Sequence, residues 1–346
     1  MTLVRMKRVV LCLSHSIEEY QQLQLLTEAG YEVFSIGGYI DPAAPHDPKR
    51  PPLPDVPHYP ELQAVVDALD TPDNLGAAQS HIPGPILDWL GDDGIIIFHH
   101  LLDRLWGQWR HLRQDFKGRV VWRSVGQTDP QVERTAAYYR AQGLERVAYS
   151  PREEHIPGHA GYDALIRFYV DPDEWQGWTG EDAHVINITQ RLFQRGQATN
   201  PSFWLEATKG LPAIPVGEGS DAHRGPGILP FDEMKQALRS ARAYLYTGTR
   251  PASYTLGFIE AMMTGIPIVS IGPDAWGEGI EWMPGVFEAH EFASSYHDDA
   301  ERARMFLRDF LDAHDEAAIA SKHQRQRAID TFGKAKVMAD WQAFLG

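Results

Sequence analysis

The sequence is poor in cysteine, in positive charge and in long apolar runs, and each shortage excludes a class of protein. Only Cys12 is a cysteine among 346 residues, so no disulfide can form within the chain. Arginine and lysine number 32 against 47 aspartates and glutamates, and the resulting net charge of -15 disfavours long-range attraction to nucleic acid or anionic membranes. No apolar run approaches the roughly 20 residues of a membrane-spanning helix, and the first residues lack a signal-peptide pattern. We therefore expect a cytoplasmic protein, in the host cytoplasm if its source is a virus.

Short apolar runs alternate with amphipathic stretches along most of the chain, which predicts an α/β protein. With 346 residues, 43% of them hydrophobic, the chain is long enough for two domains that each bury a core. Near-continuous apolar runs such as 8–13 and 94–98 are typical of parallel strands that are buried on both faces. The alternation indicates open, doubly wound parallel sheets, in which ligands bind beyond the carboxyl ends of the strands.

Polar residues follow three of the predicted strands in the first half of the chain. They are His15 within 14–16, the pair His99 and His100, and the stretch 124–129, which ends in Asp129. A histidine at such an edge can hydrogen-bond a ligand or relay a proton near neutral pH. The alternative for the pair is one packed and one exposed histidine. Asp129 precedes a predicted helix and is interpreted as its N-cap, with a catalytic base as the alternative.

The stretch 243–272, AYLYTGTRPASYTLGFIEAMMTGIPIVSIG, predicts a strand, a tight loop, a helix and a second strand. The first turn of such a helix leaves backbone N–H groups without partners and carries the positive end of the helix dipole, so a diphosphate fits over residues 253–256. Glu260 lies one to two turns further along and can accept hydrogen bonds from vicinal hydroxyl groups, as an acidic residue does against a ribose. The alternative is an ordinary crossover helix with a solvated Glu260.

Residues 260–269, EAMMTGIPIV, resemble the donor-site motif E-A-M-x-x-G-x-P-V of the retaining GT-B glycosyltransferases. This large family has two Rossmann-like domains that face a cleft. The resemblance implies that Glu260 binds the ribose of a nucleotide sugar and that the loop before it holds the diphosphate. The family usually carries a second glutamate eight positions earlier, against the transferred sugar. Here that position is Ala252, a departure that bears on the sugar and on catalysis.

Two arginines stand where the same family has phosphate-binding cations. The first strand of its donor domain ends in G-R-L, followed by K-G, and here Arg191 and Arg195 take the two cationic places while Gln190 replaces the glycine. A guanidinium stays charged and binds phosphate with two hydrogen bonds, so arginine keeps the chemistry of lysine. Without the resemblance, the pair is interpreted as a solvated surface.

Residues 167–181 are rich in turn-forming and aromatic residues and separate two blocks of alternating strands and helices, so they mark the domain boundary. Within them, residues 170–175, VDPDEW, also resemble the linker of the family, G-V-D-x-x-x-F. We expect an amino-terminal, acceptor-side Rossmann-like domain at 1–180 and a nucleotide-sugar donor domain at 181–325. A closing helix at 326–346 is expected to pack back on the first domain. Asp171-Pro172-Asp173 has the D-x-D spelling of metal-dependent transferases, but its position in the linker predicts a turn.

The resemblance implies a metal-independent transferase that moves a sugar from a nucleotide sugar to an acceptor hydroxyl with retention. A UDP-sugar is the expected co-substrate, and no prosthetic group is expected. His99 and His100 are the catalytic candidates. The expected donor-binding residues come from the two loops and the helix: Arg191, Arg195, Gly248, Thr249, Ser253, Tyr254, Thr255, Leu256 and Glu260.

The acceptor-side candidates are His15, Asp129, Arg104 and Arg110. The two arginines belong to a predicted helix, 101–116, in which basic and aromatic residues are interleaved, a pattern that can grip a nucleic-acid backbone and stack bases. Some viral GT-B transferases glycosylate hydroxymethylated DNA bases, so modified DNA is one acceptor hypothesis beside a glycan or a small molecule. The alternative is an amphipathic helix whose apolar side packs on the sheet.

Two other functions are compatible with the same residues. Ala252 suggests a catalytically weak GT-B relative that binds a nucleotide or a glycan without transferring a sugar. A sugar-nucleotide epimerase of the same fold is the more remote alternative. Nucleotide binding without transfer would favour the first, and release of nucleotide with an altered sugar would favour the second.

Overall fold

A computed structural model of the protein describes residues 7–13, 16–37, 57–70, 76–100, 102–126, 129–277, 283 and 288–346. Strands of the first half form one parallel sheet in the order β2-β1-β3-β4-β5-β6. These strands are β1 (Arg8–Cys12), β2 (Glu32–Ser35), β3 (Ile95–His99), β4 (Arg119–Arg123), β5 (Glu145–Ala148) and β6 (Ala164–Leu165). The helices between them are α1 (Ser16–Glu28), α2 (Pro60–Asp67), α3 (Ala77–Ser80), α4 (Gly84–Leu90), α5 (Leu102–Asp115) and α6 (Pro130–Arg140).

Strands of the second half form another parallel sheet, in the order β11-β10-β9-β7-β8. They are β7 (Asp182–Ile188), β8 (Ala213–Val216), β9 (Ala241–Tyr246), β10 (Ile268–Ile271) and β11 (Ser295–His297). The accompanying helices are α7 (Pro201–Ala207), α8 (Phe231–Ser240), α9 (Leu256–Thr264), α10 (Ala289–Phe292), α11 (Ala300–Asp312), α12 (His314–Phe332) and α13 (Lys334–Leu345). The predicted α/β class with two doubly wound parallel sheets is confirmed.

Alternating side chains of each strand enter different cores, as the two-residue period of a strand requires. In β3, Ile95 and Ile97 join the core beneath α1 and α13, whereas Ile96 and Phe98 join the core beneath α2 to α6. The second sheet divides its side chains in the same way between α8, α9 and α12 on one face and α7 and α11 on the other. Each sheet is therefore buried on both faces, which explains the near-continuous apolar runs.

In each sheet, the second strand of the domain pairs on one side of the first strand, and the third strand pairs on its other side. The direction in which strands are added therefore reverses at the first strand. The first domain has this reversal between β1 and β3, and the second has it between β7 and β9. A crevice opens outside the carboxyl ends of the strands at such a point, because the two loops leave toward opposite faces of the sheet. The crevice between β7 and β9 is bordered by the loops that contain the predicted donor-binding residues.

The last two helices connect the domains. Helix α12 packs on α9 of the second domain, and α13 returns to the first domain, where Trp341 is buried in the core beneath α1. The chain changes direction at Gly333, which pairs with Val170 of the linker, and the Val170 amide donates to the Phe332 carbonyl at 2.9 Å. Lys334 Nζ is 2.6 Å from Glu28 of α1. No helix in the described part of the chain is long and apolar enough to cross a membrane.

A buried ionic cluster supports the carboxyl ends of β4 and β5. Arg146 contacts Glu133 of α6 at 2.5 Å and Glu153 at 2.6 Å, and all three side chains are fully buried. Burial alone would raise the pKa of Glu133, but hydrogen bonds from His159 and Arg146 outweigh it and lower that pKa to about 2. Glu153 also accepts hydrogen bonds from the Ser124 hydroxyl and the Tyr149 amide, at 2.7 and 3.0 Å. The cluster thus ties together the chain segments that leave β4 and β5.

Replacing Arg146 with methionine should destabilise the protein by about 3–5 kcal/mol, because two buried carboxylates lose their partner. Urea-induced unfolding measures the loss. Arg140→Met is the matched control, since the ion pair of Arg140 with Asp163 lies at the surface, where such pairs contribute at most about 1 kcal/mol. Equal losses in the two variants would contradict the special role of the buried cluster.

Candidate functional site

The loop after β7 carries the two arginines that were predicted to bind phosphate. Arg191 has a left-handed backbone, φ 55°, and its amide donates to the Glu218 carbonyl at 3.0 Å. Its guanidinium forms an exposed ion pair with Glu218 at 2.8 Å, which raises the pKa of Arg191. Arg195 is exposed, one turn further along. Both cations therefore lie at the solvent-facing carboxyl edge of the second sheet.

The loop between β9 and α9, residues 247–255, contains most of the other predicted donor-binding residues. Gly248 has φ 81°, and a Cβ there would overlap the ring of Trp276, so both the backbone angle and the space require glycine. Thr249 pairs with Ala252 in an isolated bridge that closes the tip of the loop. We refer to residues 247–255 as the donor loop.

Two hydrogen bonds join the donor loop to the loop after β7. Asn200 Nδ2 donates to the Thr247 carbonyl at 2.9 Å, and the Arg250 amide donates to the Ala198 carbonyl at 2.8 Å. Arg195 belongs to the same loop as Ala198, whose amide donates to the Arg195 carbonyl at 3.1 Å. The structure thus brings Arg195 and the donor loop to the same crevice.

The start of α9 provides backbone donors in that crevice. Thr255 is the N-cap, and its side chain accepts from the Phe258 amide at 3.2 Å. Leu256 and Gly257 are the first two residues of α9, so their amides have no intrahelical partner, and such amides can bind an anion. A Cβ on Gly257 would lie 3.5 Å from the Ile188 carbonyl, which places this first turn directly beside the end of β7.

Glu260 lies one turn into α9 and is only 3% exposed. Burial raises the pKa of Tyr244, the Ile188 backbone opposes this, and the Glu260 carboxylate raises it further. The Tyr244 hydroxyl accepts from the Ile188 amide at 3.1 Å, at the end of β7. The solvated Glu260 of the alternative interpretation does not occur in this structure.

Ser253 and Tyr254 use their side chains in contacts with the first domain. Ser253 Oγ donates to the Ser150 hydroxyl at 2.8 Å, and the Tyr254 hydroxyl donates to the Tyr149 carbonyl at 2.8 Å. The Ser253 amide donates to the Tyr149 hydroxyl at 2.6 Å. Within the predicted diphosphate segment, 253–256, the Ser253 amide is therefore already occupied, and the available donors shift toward Leu256 and Gly257.

The two histidines that end β3 have different environments. His99 is 3% exposed and faces α1, where its Nδ1 lies 3.5 Å from Glu18. His100 is half-buried at the edge itself, with φ 61°. Burial lowers the pKa of His100, while Glu18 and then Asp103 act in the opposite direction. Its Nδ1 is buried and accepts or donates no hydrogen bond among the residues that the structure describes. Of the pair, His100 lies at the sheet edge and has the position that ligand contact requires.

The acceptor-side candidates are spread along the first domain. Asp129 is the N-cap of α6, since its carboxylate accepts from the amides of Gln131 and Val132 at 2.7 and 2.9 Å, which confirms the capping interpretation. Arg104 lies in the first turns of α5 near Gly76, whereas Arg110 is exposed. Because α5 runs away from the sheet edge, Arg110 lies about 9 Å further along its axis than Arg104. His15 lies outside the described residues.

Leu105, Trp109 and Leu112 of α5 are buried against the sheet, as the amphipathic interpretation of this helix predicts. Asp171-Pro172-Asp173, which matches D-x-D, forms a turn. In it, the Asp171 carboxylate accepts from the Asp173 amide at 2.9 Å and pairs with Lys334 at 3.2 Å. Within the described ranges, no cluster of three or more histidine, cysteine or acidic side chains is arranged to hold a metal ion.

Sequence reasoning missed three groups that border the crevice or its contacts. Arg250 stacks on Trp276, 4.9 Å from the ring centroid, and hydrogen-bonds the Trp276 carbonyl. Tyr149 contacts Ser253 of the donor loop, and Glu288 contacts Ser150 beside it, although each pair is far apart in the sequence. Only Arg250 had a local signal, as a cation between a glycine turn and a proline.

No protein-family model matches the chain, and no curated protein sequence matches it. Solved structures do match over its whole length. Anabaena Alr3699/HepE in complex with UDP-glucose is similar with TM-score 0.64 and 11% identity, over 98% of this chain and 100% of that chain. A glycosyltransferase from Rickettsia africae has TM-score 0.65 and 12% identity, over 99% and 98%. A UDP-forming α,α-trehalose-phosphate synthase from Burkholderia xenovorans has TM-score 0.61 and 10% identity, over 99% of each chain. The chain therefore has the GT-B fold, as predicted.

An alanine at Gly248 should destabilise the protein more than an alanine at Gly210. Both glycines have φ near 80°, where a side chain costs roughly 1–2 kcal/mol. A Cβ at Gly210 meets nothing within 4 Å, whereas at Gly248 it collides with Trp276. Urea unfolding measures the stability of Gly248→Ala and Gly210→Ala, and the difference between them reports the contact with Trp276. Equal unfolding midpoints would show that Trp276 does not confine the donor loop.

Proposed function

We propose that this protein is a glycosyltransferase that transfers a sugar from a nucleotide sugar to an acceptor hydroxyl. The observation that carries the proposal is the crevice between β7 and β9, where a cationic loop adjoins the first amides of α9. The GT-B fold supports it, because ligands of doubly wound sheets bind at such a crevice. With domains at 1–180 and 181–325 and a closing helix at 326–346, the donor site belongs to the second domain and the acceptor site to the first.

The diphosphate of the donor lies between the guanidinium groups of Arg191 and Arg195 and the amides of Leu256 and Gly257. The arginines supply mobile positive charge at the solvent edge, and the helix start supplies fixed donors with the favourable end of a dipole. Both stabilise the negative charge that grows on the phosphates as the sugar leaves, which is the main contribution that such a site makes to the rate. This chemistry needs no metal ion.

Glu260 binds the ribose hydroxyl groups. Its carboxylate lies on the second turn of α9, beyond the phosphate amides, and is buried. Low exposure favours this role, because a hydrogen bond to a buried carboxylate competes less with water.

UDP-glucose is the donor that we consider first. One similar structure holds UDP-glucose, and another belongs to a UDP-forming synthase. We further propose that transfer proceeds with retention, as the E-A-M-x-x-G-x-P-V resemblance implies, and that His100 contacts the sugar or the acceptor. A catalytically inactive nucleotide-binding protein is the second candidate, and Ala252 is the residue that favours it.

The acceptor lies on the first domain near His100 and Arg104. A hydroxymethylated base in DNA is one acceptor, supported by the basic residues of α5, and a glycan or a small glycoside is the other. The distance between Arg104 and Arg110 along α5 and the net charge of -15 favour the smaller acceptors.

UDP and UDP-glucose should raise the melting temperature of the protein by mass action, more than the corresponding adenosine compounds. Arg195→Met should weaken UDP binding by at least about tenfold, because a charge-assisted phosphate contact is lost. Isothermal titration calorimetry with UDP measures the change. Arg134→Met, at an exposed position of α6, is the control and should bind UDP as the wild type does.

Glu260→Gln should lower transfer and donor hydrolysis while the protein stays folded, because an amide accepts ribose hydrogen bonds less well than a carboxylate. The assay uses radiolabelled UDP-glucose with hydroxymethylated DNA, a mixed glycan panel and small glycosides. Glu206→Gln, on the exposed side of α7, is the control. UDP binding without transfer or hydrolysis in any arm would favour the inactive relative, and unchanged turnover of Glu260→Gln would contradict its role.

A further inference from the structure

The carboxyl end of β5 in the first domain meets the donor loop of the second domain. Tyr149, which follows β5, is fully buried and accepts the Ser253 amide on its hydroxyl at 2.6 Å. Its carbonyl accepts from the Tyr254 hydroxyl at 2.8 Å, and the two rings pack with centroids 5.2 Å apart. One residue of the first domain therefore fixes two successive residues of the donor loop.

A close approach between the domains lies next to Tyr149. A Cβ on Gly126, which follows β4, would lie 2.8 Å from Ala252 Cβ and 2.9 Å from the Tyr149 hydroxyl. Gly126 also has φ 88°, so glycine satisfies both the angle and the space. Ala252 therefore packs directly against Gly126 of the first domain, where no side chain on residue 126 fits.

A polar chain extends this contact along the boundary. Ser253 Oγ donates to Ser150 Oγ at 2.8 Å, and the Ser150 hydroxyl donates to Glu288, which also accepts from Arg167. Ser150, Ser253 and Glu288 are all buried. The Arg167 guanidinium lies 5.6 Å from the ring centroids of Tyr254 and Phe332, so it joins aromatic residues as well.

We propose that the first domain is part of the donor site, with Tyr149 as a positioning residue that holds the donor loop in its binding geometry and Ala252 as its close-packing neighbour. This inference rests on the proposed function and adds the way in which the site is held. The Tyr149 hydroxyl takes the Ser253 amide away from any ligand, and it thereby directs the phosphates to the amides of Leu256 and Gly257.

The same contact explains why Ala252 stands where the related family has a glutamate. The Ala252 methyl group lies against Gly126, in a boundary that already contains the buried carboxylate of Glu288. Ala252 is therefore a packing residue in a loop that is docked on the other domain. The size of residue 252 controls whether the domains meet, and through the donor loop it controls nucleotide binding.

Tyr149→Phe is the first test, because it removes only the oxygen that accepts the Ser253 amide. An unpaired buried amide loosens the loop, and we expect UDP binding by calorimetry to weaken about tenfold. Tyr138→Phe, at an exposed tyrosine of α6, is the matched control and should bind UDP as the wild type does. Melting temperatures are recorded beside the dissociation constants, since a purely structural role lowers the melting temperature and leaves the constant for the folded protein unchanged.

Ala252→Leu is the second test and serves if Tyr149→Phe does not fold, because residue 252 lies in a partly exposed loop. The added atoms press on Gly126 and Tyr149, and we expect at least about tenfold weaker UDP binding. Ala137→Leu, at an exposed alanine of α6, controls for the added volume.

The outcomes separate the two proposals. If the wild type binds neither UDP nor another nucleoside diphosphate, the proposed function fails and this inference fails with it. If the wild type binds UDP and both Tyr149→Phe and Ala252→Leu bind it equally well, the inference alone is overturned. Weaker binding in either variant, with both controls unchanged, supports it.

Discussion

The pairing of Arg146 with Glu153 is the interaction on which the geometry between the domains depends. Glu153 uses one carboxylate oxygen for the guanidinium and the other for the Ser124 hydroxyl and the Tyr149 amide. These contacts fix the segments that leave β4 and β5, and those segments carry Gly126, Tyr149 and Ser150 to the donor loop. A buried charge cluster inside one domain therefore sets the position of a loop that belongs to the other.

A buried ion pair contributes little net stability compared with an apolar replacement, but it strongly penalises any arrangement that separates its members. In this protein, the pair that such a rearrangement would separate lies where β4 and β5 end and the first domain meets the donor loop. Burial raises the pKa of Glu153 while Arg146 opposes the shift, so the carboxyl group depends on its partners at this site. The cluster therefore contributes more to a single conformation of these segments than to the net stability of the domain. The segments that contact the donor loop are thereby held in one arrangement.

The sequence predicted those parts of the molecule whose signals are local. Two-residue periodicity and short apolar runs identified the parallel sheets, and turn chemistry with helical spacing identified the donor loop and α9. Asp129 was assigned as an N-cap from its neighbours alone. The residues that the sequence did not reveal act over long separations: Tyr149 and Ser253 are 104 positions apart, and Ser150 and Glu288 are 138 apart. Nothing in the local pattern of a tyrosine at a strand end shows that its hydroxyl accepts an amide from another domain.

The chain passes between the domains twice, after Val170 and at Gly333, and the two passages are hydrogen-bonded to each other. The two connecting segments therefore join the domains at one place. Tyr254 packs on Phe332 beside this crossing and donates to the Tyr149 carbonyl, so the donor loop is docked on the first domain next to the two connections between the domains.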